Sequence, residues 1–391
     1  MKRRPIPLEQ LVEAARGFGF DAAGAAPAVP YPRADFLDEW LRQKRHGSME
    51  YLARTPERRK DPRQIVPNAR SVVCVAKRYR PDLPPQEKSA ETDADLRGTV
   101  ASYAWGGDYH DAMRKPLLRL QEWIHERAGA DVESRPYIDT GPILERPAAS
   151  LAGLGWVGKN TLLLNRSLGS YFFLGEIITT AEIETGAPTA DHCGSCVRCL
   201  EACPTGAFPE PYVMDASRCV SYLTIERRGP MPLELRDGVG DMVFGCDICQ
   251  EVCPWNRPSN REAPDDADEY VPRNDILPHW PNPKLDDLML LDDESFRERF
   301  RGSPVKRTKR RGLLRNAAVA LGNARDPRAV PALTVGLSDE EPLVRSHSAW
   351  ALGKIGGEAA VNALKERAAL ETDADVQSEI ERALTSATAP R

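Results

Sequence analysis

No apolar run in this sequence is long enough to cross a membrane, although the chain has 391 residues. Arg3 and Arg4 form a twin-arginine pair of the kind that opens some export signals. The residues that follow include Glu9, Glu13 and Arg16, whereas an export signal needs an uninterrupted apolar stretch. The sequence therefore predicts a cytoplasmic protein that does not bind a membrane.

The sequence also lacks an excess of positive charge. Its 53 Lys and Arg residues stand against 58 Asp and Glu residues, which gives a formal net charge of -5. This balance excludes an attraction of the whole protein to nucleic acid, so any such partner has to be held by a local patch. A chain of this length is expected to form two or three domains.

Cysteines are few, and eight of the nine fall into two motifs. The ninth, Cys74, lies in the apolar segment Ser71 to Ala76 and is expected to be a buried core residue. Cys193 to Pro204 reads CxxCxxCxxxCP, the run that binds iron-sulfur clusters in bacterial two-cluster ferredoxins. Cys246 to Pro254 reads CxxCxxxCP, the same pattern without its first thiolate, and Cys219 is the nearby cysteine that can replace it.

The spacing of the cysteines predicts which thiolates share a cluster. Two-residue gaps let three thiolates face one cubane, while the cysteine before proline reaches the other cluster. One 4Fe-4S cluster is thus expected on Cys193, Cys196, Cys199 and Cys253, and a second on Cys203, Cys219, Cys246 and Cys249. A structural zinc site would accept two CxxC pairs, and disulfides would need a secreted protein, but neither explains two CxxxCP endings.

The segment before the cysteines mixes helical and strand patterns. Helical spacing covers Leu8 to Arg16, Phe36 to Leu52 and Tyr109 to Arg127, and strand-like runs cover Ser71 to Lys77, Thr99 to Ala104 and Tyr171 to Thr180. This mixture predicts an α+β domain.

Two loops of this domain have the composition of binding loops. Ala152 to Thr161 places three glycines around Trp156, which would let backbone approach a large ligand closely, although it is neither a Walker loop nor a dinucleotide fingerprint. Tyr137 to Arg146 contains Asp139, a loop carboxylate that can face a cleft. On the sequence alone, an Asx turn or a helix cap is the simpler interpretation of Asp139.

The C-terminal part combines a basic segment with a repeat. Between Arg301 and Arg315 there are seven basic residues and no acidic one: Arg301, Lys306, Arg307, Lys309, Arg310, Arg311 and Arg315. Ala320 to Asn323 recurs as Ala351 to Lys354, a period of about thirty residues that is typical of stacked helix pairs of the HEAT class. A basic helix at the start of such repeats suits a phosphate backbone.

Taken together, these features resemble the epoxyqueuosine reductase family, cobalamin-dependent enzymes of transfer-RNA modification. The resemblance covers nearly the whole chain. It depends on the Tyr137 to Arg146 segment, the Ala152 to Thr161 loop, the cysteine pattern with the displaced Cys219, and Gly302-Ser303-Pro304 followed by Arg307, Arg315 and Asn316.

The resemblance implies reduction of the epoxide of epoxyqueuosine to an alkene at the wobble position of transfer RNA. It implies two 4Fe-4S clusters that pass electrons to cobalamin, and Asp139 as the proton donor to the opening oxygen. The family positions that would contact cobalamin are Arg63, Ser102, Asp139, Asn160, Leu174, Glu176, Ser221 and Asp247. No histidine stands in a DxHxxG arrangement, so cobalamin is expected without a protein histidine ligand.

The expected architecture is α+β with four segments. These are a cobalamin-binding catalytic domain over 1–182, a ferredoxin-type module with two 4Fe-4S clusters over 183–262, a linker over 263–300, and all-α HEAT-like repeats over 301–391. Transfer RNA is expected on the repeats, at Lys306, Arg307, Lys309, Arg310, Arg311 and Arg315. The protein is expected to be a monomer that takes electrons from an unidentified low-potential donor.

Two alternatives remain open at this point. A corrinoid reductive dehalogenase also joins a corrin domain to two clusters, but such proteins usually carry an export signal and lack a basic repeat segment. A ferredoxin-type electron-transfer module, with its partner enzyme docked on the repeats, would bind no corrin.

Overall fold

The computed structural model describes residues 4–79, 95–129, 131–257 and 280–388, which form two compact units. The first unit is built from residues 4–79, 107–129, 131–216 and 248–257, and the second from residues 95–106, 217–247 and 280–388. Each unit takes in several separate stretches of chain, so the units do not follow the consecutive segments that the sequence predicts.

A four-stranded antiparallel sheet forms the centre of the first unit, with the strand order β1-β2-β7-β4. Its strands are β1 (Ala22–Pro27), β2 (Ser71–Arg78), β4 (Ser134–Tyr137) and β7 (Phe172–Thr179). The register places Cys74 of β2 between Gly24 of β1 and Glu176 of β7. Every residue of β2 is buried, and Cys74 is a core residue as expected.

Helices cover both faces of this sheet. The helices of the unit are α1 (Leu8–Gly17), α2 (Ala34–Arg42), α3 (Pro56–Lys60), α4 (Tyr109–Ala128), α5 (Glu145–Leu151), α6 (Arg198–Glu201) and α9 (Ile248–Glu251). Met113 and Leu117 of α4 face Gly175 of β7, whereas α5 packs on the opposite face through Ala148 and Ala149. A short hairpin of β5 (Trp156–Val157) and β6 (Leu163–Leu164) completes the unit.

The second unit is largely helical. Its short strands β3 (Thr99–Val100) and β8 (Met242–Phe244) pair in parallel. Its helices are α7 (Val220–Ile225), α8 (Leu233–Val239), α10 (Leu285–Met289), α11 (Asp293–Arg299), α12 (Lys309–Ala324), α13 (Val330–Gly336), α14 (Pro342–Ile355), α15 (Glu358–Ala368) and α16 (Ala374–Thr388).

The predicted repeats are stacked helices, in which α12 packs on α14 and α14 packs on α16. Gly322 and Gly353 hold the same place in the two sequence copies, and each lies where two helices touch. A Cβ atom on Gly322 would lie 2.9 Å from Ala351 Cα, and one on Gly353 would lie 2.7 Å from Ala383 Cα. The repeated glycine therefore lets the helix backbones approach each other.

Three predictions about local structure are wrong in part. The helix predicted over Phe36 to Leu52 ends at Arg42, and the strand predicted over Thr99 to Ala104 ends after Val100. The predicted linker over 263–300 contains the helices α10 and α11, which bury Leu288 and Phe296 because apolar residues recur there at helical spacing. Its first part, 263–279, lies outside the described residues.

Within the described part of the chain, no helix combines the length and the apolar character that crossing a membrane would require.

Candidate functional site

Four cysteines line one cavity of about 240 Å³ in the first unit, and we call it the thiol cavity. Its thiols are Cys193, Cys196, Cys199 and Cys253, and its other lining residues are Lys159, Asn160, Leu164, His192, Arg198, Pro254 and Trp255. These four thiols are the set that the spacing predicts for the first cluster. No three Cys, His, Asp or Glu side chains in the described ranges are arranged as the ligands of a single metal ion would be.

Local hydrogen bonds shape the loop that carries Cys193 and Cys196, just before Cys199 in α6. Gly194 adopts a φ of 51°, which suits glycine, and the backbone N–H of Cys196 donates to Cys193 O at 3.1 Å. The Lys159 ammonium donates to Gly194 O at 2.6 Å and to Cys196 O at 3.1 Å. The loop is thus fixed in a tight turn before α6 begins.

Aromatic rings pack beside the thiol cavity. Trp156 is buried and meets Trp255 edge to face at 5.1 Å between ring centroids. His192 packs on Trp156 in the same way at 4.9 Å, and Cys253 packs in the cluster of Trp156 and Leu164. Burial and hydrogen bonding around a cluster are what set its reduction potential.

The cavity disfavours free thiolates. Burial raises the pKa of Cys199 to about 11, and the neighbouring thiols of Cys253 and Cys193 add to this shift. Burial also raises the pKa of Cys193 and of Cys253. Four thiolates in this space would therefore need compensating positive charge, which iron bound to sulfur supplies.

The other four motif cysteines are all half-buried. Cys203 and Cys249 belong to the first unit, and Cys219 and Cys246 belong to the second. In the second unit, Cys219 precedes α7 and the N–H of Gly245 donates to Thr224 Oγ1 of that helix at 2.9 Å. The assignment of these four thiols to one cluster stays a prediction.

Asp139 is an exposed carboxylate held in a strained backbone conformation. Its φ of 59° lies in the left-handed region, which is uncommon for a residue other than glycine. Tyr109 Oη donates to Asp139 Oδ2 at 2.6 Å, and the backbone N–H of Asp139 donates to Glu145 Oε1 at 2.7 Å. Helix α5 has no side-chain cap, so the helix-cap interpretation of Asp139 is wrong.

Behind Asp139 lie two further carboxyl groups. Glu145 is half-buried at the start of α5, and Glu176 of β7 is fully buried, with 0% of its surface exposed. Burial and then the charge of Asp139 raise the pKa of Glu145 to about 7. Burial raises the pKa of Glu176 well above its usual range, and the charge of Glu145 adds to this shift. Neither carboxyl oxygen of Glu176 has a hydrogen-bond partner among the described residues. The sequence reasoning did not single out Glu145, because Glu176 lies 31 positions further along the chain.

The glycines of the Ala152 to Thr161 loop serve the packing of the loop itself. A Cβ atom on Gly155 would lie 2.0 Å from Leu164 O, and one on Gly153 would lie 2.8 Å from Ala187 O. Packing alone therefore explains why these positions are glycines, without the predicted approach of a large ligand to the backbone.

The residues that the family resemblance assigns to cobalamin are distributed over both units. In the first unit, Arg63 is exposed and ion-paired with Asp61, Leu174 is half-buried, and buried Asn160 donates to Cys249 O at 3.4 Å. In the second unit, Ser221 is half-buried, and the N–H and Oγ of buried Ser102 donate to Asp247 Oδ2 at 2.7 and 2.6 Å.

The structure corrects two of the basic residues predicted to bind RNA. Arg315 is fully buried and donates to the carbonyl oxygens of Leu223, Arg227 and Gly229, so it cannot reach a ligand. Arg310 is paired with both carboxylate oxygens of Asp339. Both corrections come from tertiary partners that a charge pattern does not show.

The remaining predicted basic residues all belong to the second unit and are at least partly exposed. Lys306 and Lys309 are exposed, and Arg307 and Arg311 are half-buried. Arg311 is also ion-paired with Glu341 at 3.7 Å, with both side chains partly exposed. Arg228 donates a hydrogen bond to Arg307 O, and Arg227 precedes it in the loop that Arg315 holds. We call Arg227, Arg228, Lys306, Arg307, Lys309 and Arg311 the basic surface. The sequence reasoning missed Arg227 and Arg228 because they lie outside the charge run.

Comparison with known proteins agrees with this arrangement. Residues 192–256 match the family model for a 4Fe-4S double cluster binding domain, residues 308–385 match HEAT repeats, and residues 59–140 match the family model described as Epoxyqueuosine reductase QueG. The epoxyqueuosine reductase of Pseudomonas aeruginosa is 41% identical over 87% of this chain and 92% of its own length. That of Shigella dysenteriae is 39% identical over 90% of this chain and 91% of its own length.

Two similar solved structures are also epoxyqueuosine reductases. An epoxyqueuosine reductase solved with an epoxyqueuosine-modified tRNA-Tyr stem loop is similar with a TM-score of 0.87 at 32% identity, over 97% of this chain and 98% of that one. The Bacillus subtilis epoxyqueuosine reductase was solved with its catalytic loop, which carries an aspartate, swung out of the active site. It is similar with a TM-score of 0.86 at 32% identity, over 97% of this chain and 98% of that one.

The fold and the thiol cavity thus define an iron-sulfur oxidoreductase with an α+β part and a HEAT-repeat part. Within that class, the chain belongs to the epoxyqueuosine reductase family.

Proposed function

We propose that this protein reduces the epoxide of epoxyqueuosine in transfer RNA to the alkene of queuosine. The proposal is carried by the similarity, over 97% of the chain, to an epoxyqueuosine reductase solved with an epoxyqueuosine-modified stem loop. The reaction removes the epoxide oxygen as water, so each turnover takes up two electrons and two protons.

The electrons would come through two 4Fe-4S clusters. Cys193, Cys196, Cys199 and Cys253 would bind one cluster as thiolates, which is supported by the one cavity that all four line. The sequence assigns the second cluster to Cys203, Cys219, Cys246 and Cys249. A donor of low potential in the cytoplasm would reduce both clusters.

Cobalamin, when bound, would supply a metal centre that takes electrons from the clusters and gives them to the epoxide. Tyr137, Leu144 and Leu174, which pack partly buried against the core of the first unit, would offer apolar area to a corrin. Exposed Arg63 would bind a polar group at the edge of the ring. The contacts assigned to Ser102, Ser221 and Asp247 stay predictions.

Asp139 would give a proton to the oxygen as the ring opens. Its exposed carboxyl is oriented by Tyr109 Oη, and its backbone is fixed by Glu145, so the proton donor keeps one position. General acid catalysis requires such a group within hydrogen-bond reach of the oxygen.

Transfer RNA would bind to the basic surface of the second unit. Each phosphate that a Lys or Arg neutralises adds to an affinity that falls with salt. Because the loop that carries Arg227 and Arg228 is held by buried Arg315, these two cations have a fixed backbone. The protein is proposed to act as a monomer.

The Asp139→Asn variant tests the proton donor. Asn keeps the size of the side chain and still accepts the hydrogen bond from Tyr109, but it has no acidic proton to give. We expect unchanged iron and cobalamin content and a fall of roughly 10²- to 10⁴-fold in the single-turnover rate on epoxyqueuosine-containing transfer RNA. Asp35→Asn, at an exposed aspartate of α2, is the control and should keep the wild-type rate. Wild-type turnover by Asp139→Asn would remove the role.

A further inference from the structure

Trp156 carries a buried N–H group that lacks an acceptor in the described part of the chain. Its side chain is only 2% exposed, and Nε1 has no hydrogen-bond partner among the described residues. A buried indole N–H usually finds an acceptor, because the water that it gave up would otherwise not be replaced. A phenylalanine would fill the same space without this cost, so the choice of tryptophan points to an acceptor on a bound group.

The side chains that pack around Trp156 belong to the wall of the thiol cavity. His192 meets the indole edge to face at 4.9 Å between ring centroids, and it lines that cavity. Four more cavity-lining residues pack in one cluster with the indole: Leu164, Cys193, Cys253 and Trp255. The indole therefore lies beside the space in which the four thiols would hold the first cluster. The acceptors that a cluster brings to that space are sulfur atoms.

The hairpin that carries the indole is tied to the cysteine loop. Trp156 of β5 pairs with Leu164 of β6, which fixes its backbone. From the turn of this hairpin, the Lys159 ammonium donates to two carbonyl oxygens of the loop that carries Cys193 and Cys196. The ring and the thiols are thus held in one arrangement.

We propose that Trp156 Nε1–H donates a hydrogen bond to a sulfur atom of the first 4Fe-4S cluster and thereby raises the reduction potential of that cluster. The inference rests on the cluster that the proposed function assigns to Cys193, Cys196, Cys199 and Cys253. A raised potential makes this cluster easier for the electron donor to reduce.

The direction of the effect follows from charge. Reduction adds one electron to the cluster, so its sulfur atoms become more negative and accept hydrogen bonds more strongly. A fixed N–H dipole therefore stabilises the reduced cluster more than the oxidised one. Hydrogen bonds to sulfur are among the features that set the potentials of such clusters. Loss of the donor should lower the potential.

Trp156→Phe removes the N–H and keeps an aromatic ring at the same place. The measurement is a redox titration of the anaerobically reconstituted full-length protein, followed by electron paramagnetic resonance. We expect one of the two cluster potentials to fall by about 59 mV, which is a roughly tenfold shift in a one-electron equilibrium. The potential of the other cluster should stay where it is. Two unchanged potentials in a variant with full iron content would overturn the proposal.

Trp40→Phe is the matched control, because it removes another indole N–H from the first unit. That N–H already has an acceptor, since Trp40 Nε1 donates to Met214 O at 2.6 Å. Both cluster potentials should therefore match those of the wild type. If Trp40→Phe lowers a potential as much as Trp156→Phe does, the shift is a general effect of losing a tryptophan, and the proposal is wrong.

Labelling of the indole nitrogen tests the contact in the wild type itself. Tryptophan with ¹⁵N in the indole ring is incorporated, and electron spin echo envelope modulation of the reduced protein detects nitrogen coupled to a cluster. We expect a ¹⁵N coupling that disappears in Trp156→Phe and persists in Trp255→Phe, which changes the neighbouring ring of the cavity. A wild type without this coupling overturns the proposal even if Trp156→Phe does not fold.

The outcomes separate this inference from the proposed function. A wild type with far fewer than about eight iron atoms per chain contradicts the two clusters of the proposed function. A wild type that holds all its iron and converts the RNA, but shows no indole coupling, contradicts the hydrogen bond from Trp156 alone.

Discussion

At the scale of single residues, Arg315 is the clearest case of a charge used inside the protein. It is buried, no carboxylate in the described part of the chain pairs with it, and it donates to Leu223 O at 2.6 Å, Arg227 O at 2.7 Å and Gly229 O at 2.9 Å. Burial, followed by the charges of Arg227 and Arg228, lowers its pKa to about 9, so it remains protonated at neutral pH. Its guanidinium therefore fixes the loop that presents two cations of the basic surface.

Arg315→Leu tests this role. The change leaves three carbonyl groups without their donor, each at a cost of about 1–3 kcal/mol, so we expect the free energy of unfolding to fall by about 3 kcal/mol or more. Affinity for transfer RNA should fall as well, because the 227–229 loop is released. Chemical denaturation and salt-dependent RNA binding measure the two effects.

Lys306→Ala is the matched control for Arg315→Leu. Lys306 is exposed on the basic surface, so its removal should weaken RNA binding and reduce the salt dependence while stability stays within about 0.5 kcal/mol. If Arg315→Leu binds RNA as the wild type does, the loop it holds does not belong to the RNA surface.

The sequence could not separate Arg315 and Arg310 from the exposed members of the charge run. Both look like surface cations in the pattern from Arg301 to Arg315. Their partners, the carbonyl of Leu223 and the carboxylate of Asp339, come from other parts of the chain. Burial of a charge depends on tertiary neighbours, so charge spacing alone predicts a solvated side chain.

At the scale of elements, close contacts between helices and strands depend on glycine. Gly24 of β1 lies under the end of α5, where a Cβ atom would be 2.2 Å from Ala152 O. Gly322 and Gly353 likewise leave no room for a Cβ atom between the stacked helices of the second unit. Small residues at these points allow the sheet to receive α5 and the repeats to stack.

Gly353→Val tests the stacking of α14 on α16. The first carbon of the new side chain would lie 2.7 Å from Ala383 Cα, closer than real contacts, so the helices must separate. Overpacking of this kind costs about 1–3 kcal/mol, and Val brings little helix propensity in return. Urea denaturation should show that loss.

Gly17→Ala is the control. Gly17 also lies in a helix, but nothing lies within 4 Å of an added Cβ atom. Ala favours the helical state by up to about 1 kcal/mol over Gly, so this variant should be equal to the wild type or more stable. Equal stability of Gly353→Val and the wild type would contradict the role given to the repeated glycine.

Periodic segments were predictable and irregular ones were not. The spacing of apolar residues located α1 and α4 to within about two residues, because each buries one stripe. The packing role of the glycines of the Ala152 to Thr161 loop was not predictable, because the carbonyls that they avoid, those of Leu164 and Ala187, lie outside the loop. The electrostatic interaction of Glu145 with Glu176 needs the position of α5 over the sheet, which no local pattern encodes.

At the scale of the whole molecule, the thiol cavity joins distant parts of the chain in the first unit. Its cysteines come from the loop before α6, from α6 itself and from Cys253, more than fifty positions further on. A bound cluster would link these segments covalently through iron. The cysteine spacing alone predicted that these four thiols belong together, because two-cluster ferredoxins follow a fixed spacing of cysteines along the chain.

Cys253→Ser tests the cluster assignment by iron content. Two cubanes hold about eight iron atoms per chain, and loss of the first should leave about four. The thermal midpoint should fall as well, because the link between the two segments is lost. Cys74→Ser, at the buried cysteine outside the motifs, should keep all the iron. Full iron content in Cys253→Ser would contradict the ligand set.

The central claim is that this protein reduces the epoxide of a modified transfer RNA with cobalamin and two clusters. The most direct measurement is a single-turnover assay of the anaerobically reconstituted, pre-reduced protein with epoxyqueuosine-containing transfer RNA, with and without cobalamin, followed by mass analysis of the nucleoside. We predict one queuosine formed per enzyme with cobalamin and none without it. A protein with its full iron content and bound cobalamin that leaves the epoxide unchanged would contradict the claim.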